Sequence, residues 1–173
     1  PITATTPSAG SSGRCSRSSI RMTPGEGPKR TCVSSHSARW ADEVPAYASG
    51  GYYRPGDPLE NIREEMQSYK DLGFTDFKMK VGGAPFAVDV TRVHAARETI
   101  GPDGRLALDA NNAWRWPHEA IRFARAVESD DIWWLEEPLS PDDIAGHAEI
   151  ARTLEMPVAT GEIHATRWDF RDM

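Results

Sequence analysis

Cysteine is scarce in this sequence: Cys15 and Cys32 are the two thiols among 173 residues. So few cannot staple a chain of this length, which excludes a disulfide scaffold and makes a reducing, cytoplasmic setting the expectation. Long apolar runs are missing too. No stretch approaches the roughly 20 apolar residues that a membrane helix needs. The basic residues near the start are not followed by an apolar stretch, so these residues are not expected to be a secretory signal. Positive charge is in deficit, with a formal net charge of −6. That argues against a nucleic-acid partner, which wants a clustered basic face. An anionic small substrate stays open, because a bound metal can dominate the local field.

What is present is unevenly distributed. Residues 1–40 are rich in Ser, Thr, Arg, Gly and Pro, and their few apolar residues are isolated. Such a segment cannot bury enough surface to offset its ordering entropy. It is expected to be a disordered or aberrant leader, with a single folded unit over 41–173. With 39% hydrophobic residues overall, the chain can supply one core.

From Val44 the pattern becomes regular. Val44 to Tyr53 predicts a strand, closed by Arg54-Pro55-Gly56. Asp57 is a good N-cap, Pro58 suits the first helical position, and Glu60 completes a capping-box spacing. Leu59, Ile62, Met66, Tyr69 and Leu72 then recur at helical spacing, and Gly73 stops the helix. The same unit repeats. Strands are predicted at Phe74 to Val81, Arg105 to Ala110, Ile132 to Leu135 and Met156 to Thr160. Helices follow each: one with Phe86, Val90, Val93 and Ile100 on its buried face, one over Pro117 to Glu128, one carrying Ile144, Ala148, Ala151 and Leu154, and one opening at Arg167. Alternation of this kind predicts a parallel sheet with right-handed helical crossovers. A doubly wound open sheet and a barrel both fit. No GxGxxG or GxxxxGK[ST] fingerprint follows any strand, which lowers the nucleotide-binding version.

Charged residues sit where these strands end. Lys78 and Lys80 end the second, Asp109 the third, Glu136 and Glu137 the fourth, and Glu162 the fifth. Lys80 to Asp109 is 29 residues, Asp109 to Glu136 is 27, and Glu136 to Glu162 is 26. A βα unit of a full barrel takes roughly 31 residues. Each charge is therefore one unit on from the last, and parallel strands bring all four to one edge. Singly, each has an ordinary reading: a solvated Lys-x-Lys face, an Asp capping the next helix, a Glu-Glu-Pro loop. Four in phase point to a site.

Three carboxylates facing one point would raise one another's pKa unless a cation joined them. Oxygen-only ligation suits a hard divalent ion, and Mg²⁺ best. A nearby lysine would have its ammonium form disfavoured and could serve as a general base. Glu137, next to Glu136, is expected on the opposite side in a supporting role. Asn111 and His164 each follow a strand-end acid by two and are candidates either to contact substrate or to cap the next helix, and Tyr52 is a candidate substrate contact at the pocket mouth. His94 and His147 are expected at the surface, and Trp133 and Trp134 as packing residues.

These motifs resemble the mandelate racemase subgroup of the enolase superfamily. The residues that carry the resemblance are Lys78-Met79-Lys80, Asp109-Ala110-Asn111, Trp134-Leu135-Glu136-Glu137-Pro138 and Thr160-Gly161-Glu162. It implies a (β/α)8 TIM-type barrel, here about five βα units of it. It implies Mg²⁺ held by Asp109, Glu136 and Glu162, with Lys80 as the base and Lys78 beside it to tune it and meet the substrate carboxylate. The implied chemistry is removal of the proton α to a carboxylate, with the metal stabilising the enediolate. The Tyr-Ala-Ser-Gly-Gly-Tyr-Tyr and Gly-Glu-Ile-His-Ala-Thr-Arg-Trp runs look most like acid-sugar dehydratases, so the implied partner is a small sugar-acid carboxylate. A 2-hydroxy-acid racemase or epimerase could use the same site. Full-length members of the family are expected to be homo-oligomers. Against the family pattern, residues 1–40 do not look like the N-terminal capping domain, and the second acid/base pair of later strands has no counterpart. This stretch alone is therefore expected to be an inactive fragment.

Overall fold

The computed structural model describes residues 45–173, so the expectations for residues 1–40 and for Cys15 and Cys32 lie outside the described residues. Five parallel strands, β1 (Ala48–Gly50), β2 (Asp76–Lys80), β3 (Arg105–Asp109), β4 (Ile132–Glu136) and β5 (Val158–Ala159), lie side by side in chain order. The helices α1 (Pro58–Asp71), α2 (Phe86–Ile100), α3 (Pro117–Ala126) and α4 (Ile144–Thr153) alternate with them, and α5 (Arg167–Asp172) follows β5. A doubly wound sheet reverses its strand order part-way along. This one does not, so the barrel-type winding is the one adopted. None of these helices is long and apolar enough to cross a membrane.

Local chemistry sets the element ends. The Asp57 carboxylate accepts from the backbone N–H of Leu59 at 2.8 Å and of Glu60 at 3.1 Å, capping α1. Asp143 caps α4 through the Gly146 N–H at 2.8 Å. Gly73 closes α1 in the left-handed region that glycine adopts without a steric cost.

Winding in one direction puts the helices on one face. Along β2, Phe77 and Met79 turn toward that face, and Leu106, Leu108 and Leu135 do so from β3 and β4. They meet Ile62 and Met66 of α1, Val93 and Ala96 of α2, and Phe123 and Ala124 of α3. Each such large side chain stabilises the fold by about 1.5–3 kcal/mol on burial. The alternate residues, Asp76, Lys78, Lys80, Arg105, Asp109 and Glu136, project to the other face, which carries no helix.

A buried polar network, which the sequence pattern did not announce, ties α2 to the strand ends. Asp89 and Arg92 are 1% and 2% exposed. Arg92 donates to Asp89 Oδ1 at 2.8 Å, to the Lys80 carbonyl at 3.2 Å and to the Gly51 carbonyl at 2.5 Å. Asp89 Oδ2 accepts from Gly82 N–H at 2.8 Å and Ala84 N–H at 3.2 Å. Tyr53 Oη donates to Asp89 at 2.8 Å, accepts from Gly83 N–H at 2.8 Å, and its ring lies 4.2 Å under the Arg92 guanidinium. Every member is satisfied, which is the condition for such a network to hold a fold.

Two consequences are measurable. Arg92→Met leaves the Asp89 charge buried and unpaired, and urea denaturation should show a loss of about 3–5 kcal/mol. Burial pushes the Tyr53 and Tyr69 phenols up to about 12, assisted by hydrogen bonds to Asp89 and Glu65 respectively. In the unfolded chain all four tyrosines ionise near 10. The protonated phenols thus favour the fold below about pH 10, and that contribution disappears as pH climbs toward 12. Absorbance titration should show the tyrosinate signal of Tyr53 and Tyr69 delayed to about pH 12, with stability falling across the same window.

Candidate active site

The C-terminal ends of β2, β3 and β4 are in register. Lys80 pairs with Asp109, and Asp109 pairs with Glu136. The second pairing depends on an irregularity: Leu106 faces Ile132, yet Leu108 faces Leu135. One extra residue in β4 is accommodated as a bulge. Were that residue paired instead of bulged, Leu135 rather than Glu136 would stand opposite Asp109.

The charges interlock. Lys80 Nζ donates to Asp109 Oδ2 at 2.7 Å and to Asn111 Oδ1 at 2.5 Å. Lys78 Nζ lies 3.1 Å from Asp109 Oδ2 and 2.8 Å from Glu136 Oε1. Glu136 Oε2 accepts from the Trp134 indole N–H at 2.9 Å. Burial favours the neutral form of Lys78, but its bonds to Glu136 and Asp109 outweigh that and raise its pKa. Burial favours neutral Asp109 as well, and the Lys80 and Lys78 ammonium groups outweigh it and lower its pKa. The Lys78 ammonium is therefore held charged by the carboxylates around it.

Glu162 is placed differently from the other strand-end acids. The strand residue opposite Glu136 is Ala159, and Glu162 lies three positions beyond it, after Gly161, whose φ is +123°. It is exposed, and it lines one cavity with Trp134, Glu136, Glu137 and Thr160. Glu137 is 1% exposed with φ at 44°, and neither carboxylate oxygen has a hydrogen-bond partner among the described residues. Burial raises its pKa, and the charges of Glu162, Asp109 and Glu136 raise it further. Glu137 is thus a member of the acidic cluster, on the same cavity as Glu136.

Of the candidate substrate contacts, Asn111 adjoins Lys80, and the Tyr52 ring lies 5.6 Å from Lys80 Nζ. His164 lines a separate groove with His147, Ile144 and Val158. His147, expected at the surface, is 8% exposed, with Nδ1 2.8 Å from the Asp143 carbonyl. Trp133 and Trp134 do not pack under the helices. Trp133 stacks on the Arg105 guanidinium at 3.9 Å, and Arg105 in turn holds Asp76 through two hydrogen bonds of 2.7 and 2.6 Å.

Among the described residues no three His, Cys, Asp or Glu side chains form a ready-made metal cage. The donor chemistry nonetheless fits a hard cation. The Lys78 ammonium already bridges Asp109 and Glu136, so positive charge is held at that point. Four carboxylates, those of Asp109, Glu136, Glu137 and Glu162, act on one another here and face two lysines. The excess of two negative charges equals the charge of one divalent ion, and all the donors are oxygens.

Comparison with known proteins places these features in context. Residues 61–173 match the family model described as "Enolase C-terminal domain-like". The chain is 38% identical over 131 residues to an arabinonate dehydratase from Saccharolobus solfataricus, covering 76% of this chain and 35% of that protein. Among solved structures, L-talarate/galactarate dehydratase from Salmonella typhimurium LT2 superposes with a TM-score of 0.70 at 34% identity, covering 77% of this chain and 33% of that one. A racemase from Streptomyces coelicolor A3(2) with bound magnesium gives 0.68 at 38% identity, covering 75% and 38%. The chain thus spans about a third of the length of the curated relatives it matches.

The Glu137 environment generates a test. Glutamate in an unfolded chain ionises near 4.3. With the folded pKa raised, protonated Glu137 favours the fold below that pH, and the advantage is lost as pH rises through the folded value. In chelator-containing buffer at neutral pH, Glu137→Gln should stabilise the protein by on the order of 1–3 kcal/mol in urea denaturation. At about pH 4 the two proteins should be nearly equal.

Proposed function

The chain belongs to the enolase C-terminal domain-like family of the enolase superfamily, and from that premise we propose that it carries the proton-abstracting and metal-holding residues of a Mg²⁺-dependent sugar-acid dehydratase. The observation that carries the reading is the row of Lys80, Asp109 and Glu136 across three strands, with Lys78 Nζ joined to both acids, on the face without helices. Within the reading, residues 41–173 act as one barrel-type unit.

Asp109, Glu136 and Glu162 would hold the magnesium ion, which when bound supplies the positive charge that stabilises negative charge developing on a substrate carboxylate. Lys78 is a donor only, and its ammonium is held charged by Glu136 and Asp109. It suits pairing with the substrate carboxylate, turning the α carbon toward Lys80. Lys80 Nζ, in its free-amine form, accepts the α proton. Asn111 Oδ1 steers that amine. The electron pair left by the proton forms the new carbon–carbon double bond as the β carbon–oxygen bond breaks, and the hydroxyl departs as water with the proton that Lys80 took up, which restores the free amine. Only charge stabilisation in the transition state makes so weakly acidic a proton removable.

A second reading keeps the first step and returns the proton to the opposite face, giving a racemase. The similarity to a magnesium-bound racemase at 38% identity favours keeping it in view.

Two experiments test the proposal. Calorimetric titration should detect Mg²⁺ binding that Glu136→Gln abolishes. With a panel of sugar acids in D2O, proton NMR should show exchange at the α position, and Lys80→Met should stop it. A dehydratase yields a 2-keto product with one fewer water, whereas a racemase yields only the epimer. No binding at millimolar Mg²⁺ together with no exchange would sink both readings and leave an inert fragment.

A further inference from the structure

Glu136 is held at both oxygens, by two groups of different character. Lys78 contacts Oε1 with a full charge, and the Trp134 indole N–H contacts Oε2 at 2.9 Å. A divalent ion arriving at Glu136 competes with an ammonium for negative charge. It does not compete with a neutral N–H, which has no charge to displace and cannot accept a bond.

The indole is itself fixed. Trp134 and Glu136 are two residues apart on β4, so they share a face of the strand. The Tyr47 ring meets the Trp134 ring edge-on, with centroids 5.6 Å apart and planes at 74°. Trp133 packs on the other indole at 4.3 Å. Trp134 also lines the cavity shared by Glu136, Glu137 and Glu162. A tryptophan serving only as packing would direct its N–H to a backbone carbonyl or to water. This one directs it to a carboxylate whose side chain is 14% exposed.

We infer that Trp134 is a positioning residue for the cation site: its indole N–H sets the Glu136 carboxylate so that Oε1 is presented to the metal. The inference rests on the proposed assignment of Glu136 as a ligand. Outer-shell partners of ligands typically change metal affinity by about 10–100-fold when removed. Trp134→Phe keeps an aromatic ring against Tyr47 and Trp133 and deletes the donor.

The test uses the full chain and Mg²⁺ alone, in two measurements. Calorimetry should show Mg²⁺ binding about 10–100-fold weaker in Trp134→Phe than in the wild type. In a nitrogen-15 spectrum of the wild type, the Trp134 indole N–H signal, assigned by through-space contacts from the indole ring to the Tyr47 ring, should move as Mg²⁺ saturates. This second measurement stands even where the variant folds poorly. Wild-type Mg²⁺ binding with an unmoved Trp134 signal overturns the inference and leaves the ligand assignment intact. So does an affinity in a folded variant within about twofold of the wild type. An absence of Mg²⁺ binding by the wild-type chain overturns the ligand assignment itself, and the role of Trp134 with it.

Discussion

The ammonium of Lys78, seated between Asp109 and Glu136, is the contact on which the strand-end architecture depends. Two carboxylates about 4 Å apart repel by about 4 kcal/mol at an effective dielectric of 20. Adjacent strands β3 and β4 can hold Asp109 and Glu136 side by side only if cations stand between them. Lys78 and Lys80 supply that charge from β2, and the backbone of Lys80 is in turn gripped by Arg92. Folding and chemistry therefore draw on the same side chains. A lysine that moves to meet a substrate releases a carboxylate, and a cation that takes the carboxylate frees a lysine.

The winding direction explains why this lattice can exist at all. Every crossover carries its helix to one side, so the apolar alternates of each strand are covered and the polar alternates are not. At the opposite end of the strands the same uncovered face carries Asp76, Arg105 and Trp133 in a stacked ion pair. One end of the face is neutralised within itself. The other keeps an excess of carboxylate, at Glu137 and Glu162, that nothing among the described residues balances.

Much of this was legible in the sequence, because it rests on local signals. Asp57, Pro58 and Gly73 bracket α1, and the charges after the apolar strands announce the site edge. What the sequence hid was long-range. Asp89 and Arg92 look like the wet face of an amphipathic helix, and only tertiary packing turns that face inward. For the same reason Phe86, read as core, stays 39% exposed beside Arg122, while His147, read as surface, is buried. Of the strand read over Val44 to Tyr53, Ala48–Gly50 form β1 among the described residues, since those residues find partners on β2. Regular spacing suggested that Glu162 would join the row, but the turn at Gly161 carries it three residues past its strand partner.

The bulge in β4 bears on how this stretch of chain can change. Loops between strands and helices absorb insertions and deletions because nothing downstream depends on their length. β4 has one residue of such freedom and no more. Dropping a single codon between Ile132 and Leu135 would remove the bulge and leave Leu135 opposite Leu108 and Glu136 opposite Asp109. Dropping a second would invert the facing of every residue after it, sending Glu136 into the hydrocarbon layer under α3 and Leu135 into the charged row. Drift in length beyond that one residue is thus barred from one short strand, whereas the composition of the helices around it can be rewritten residue by residue.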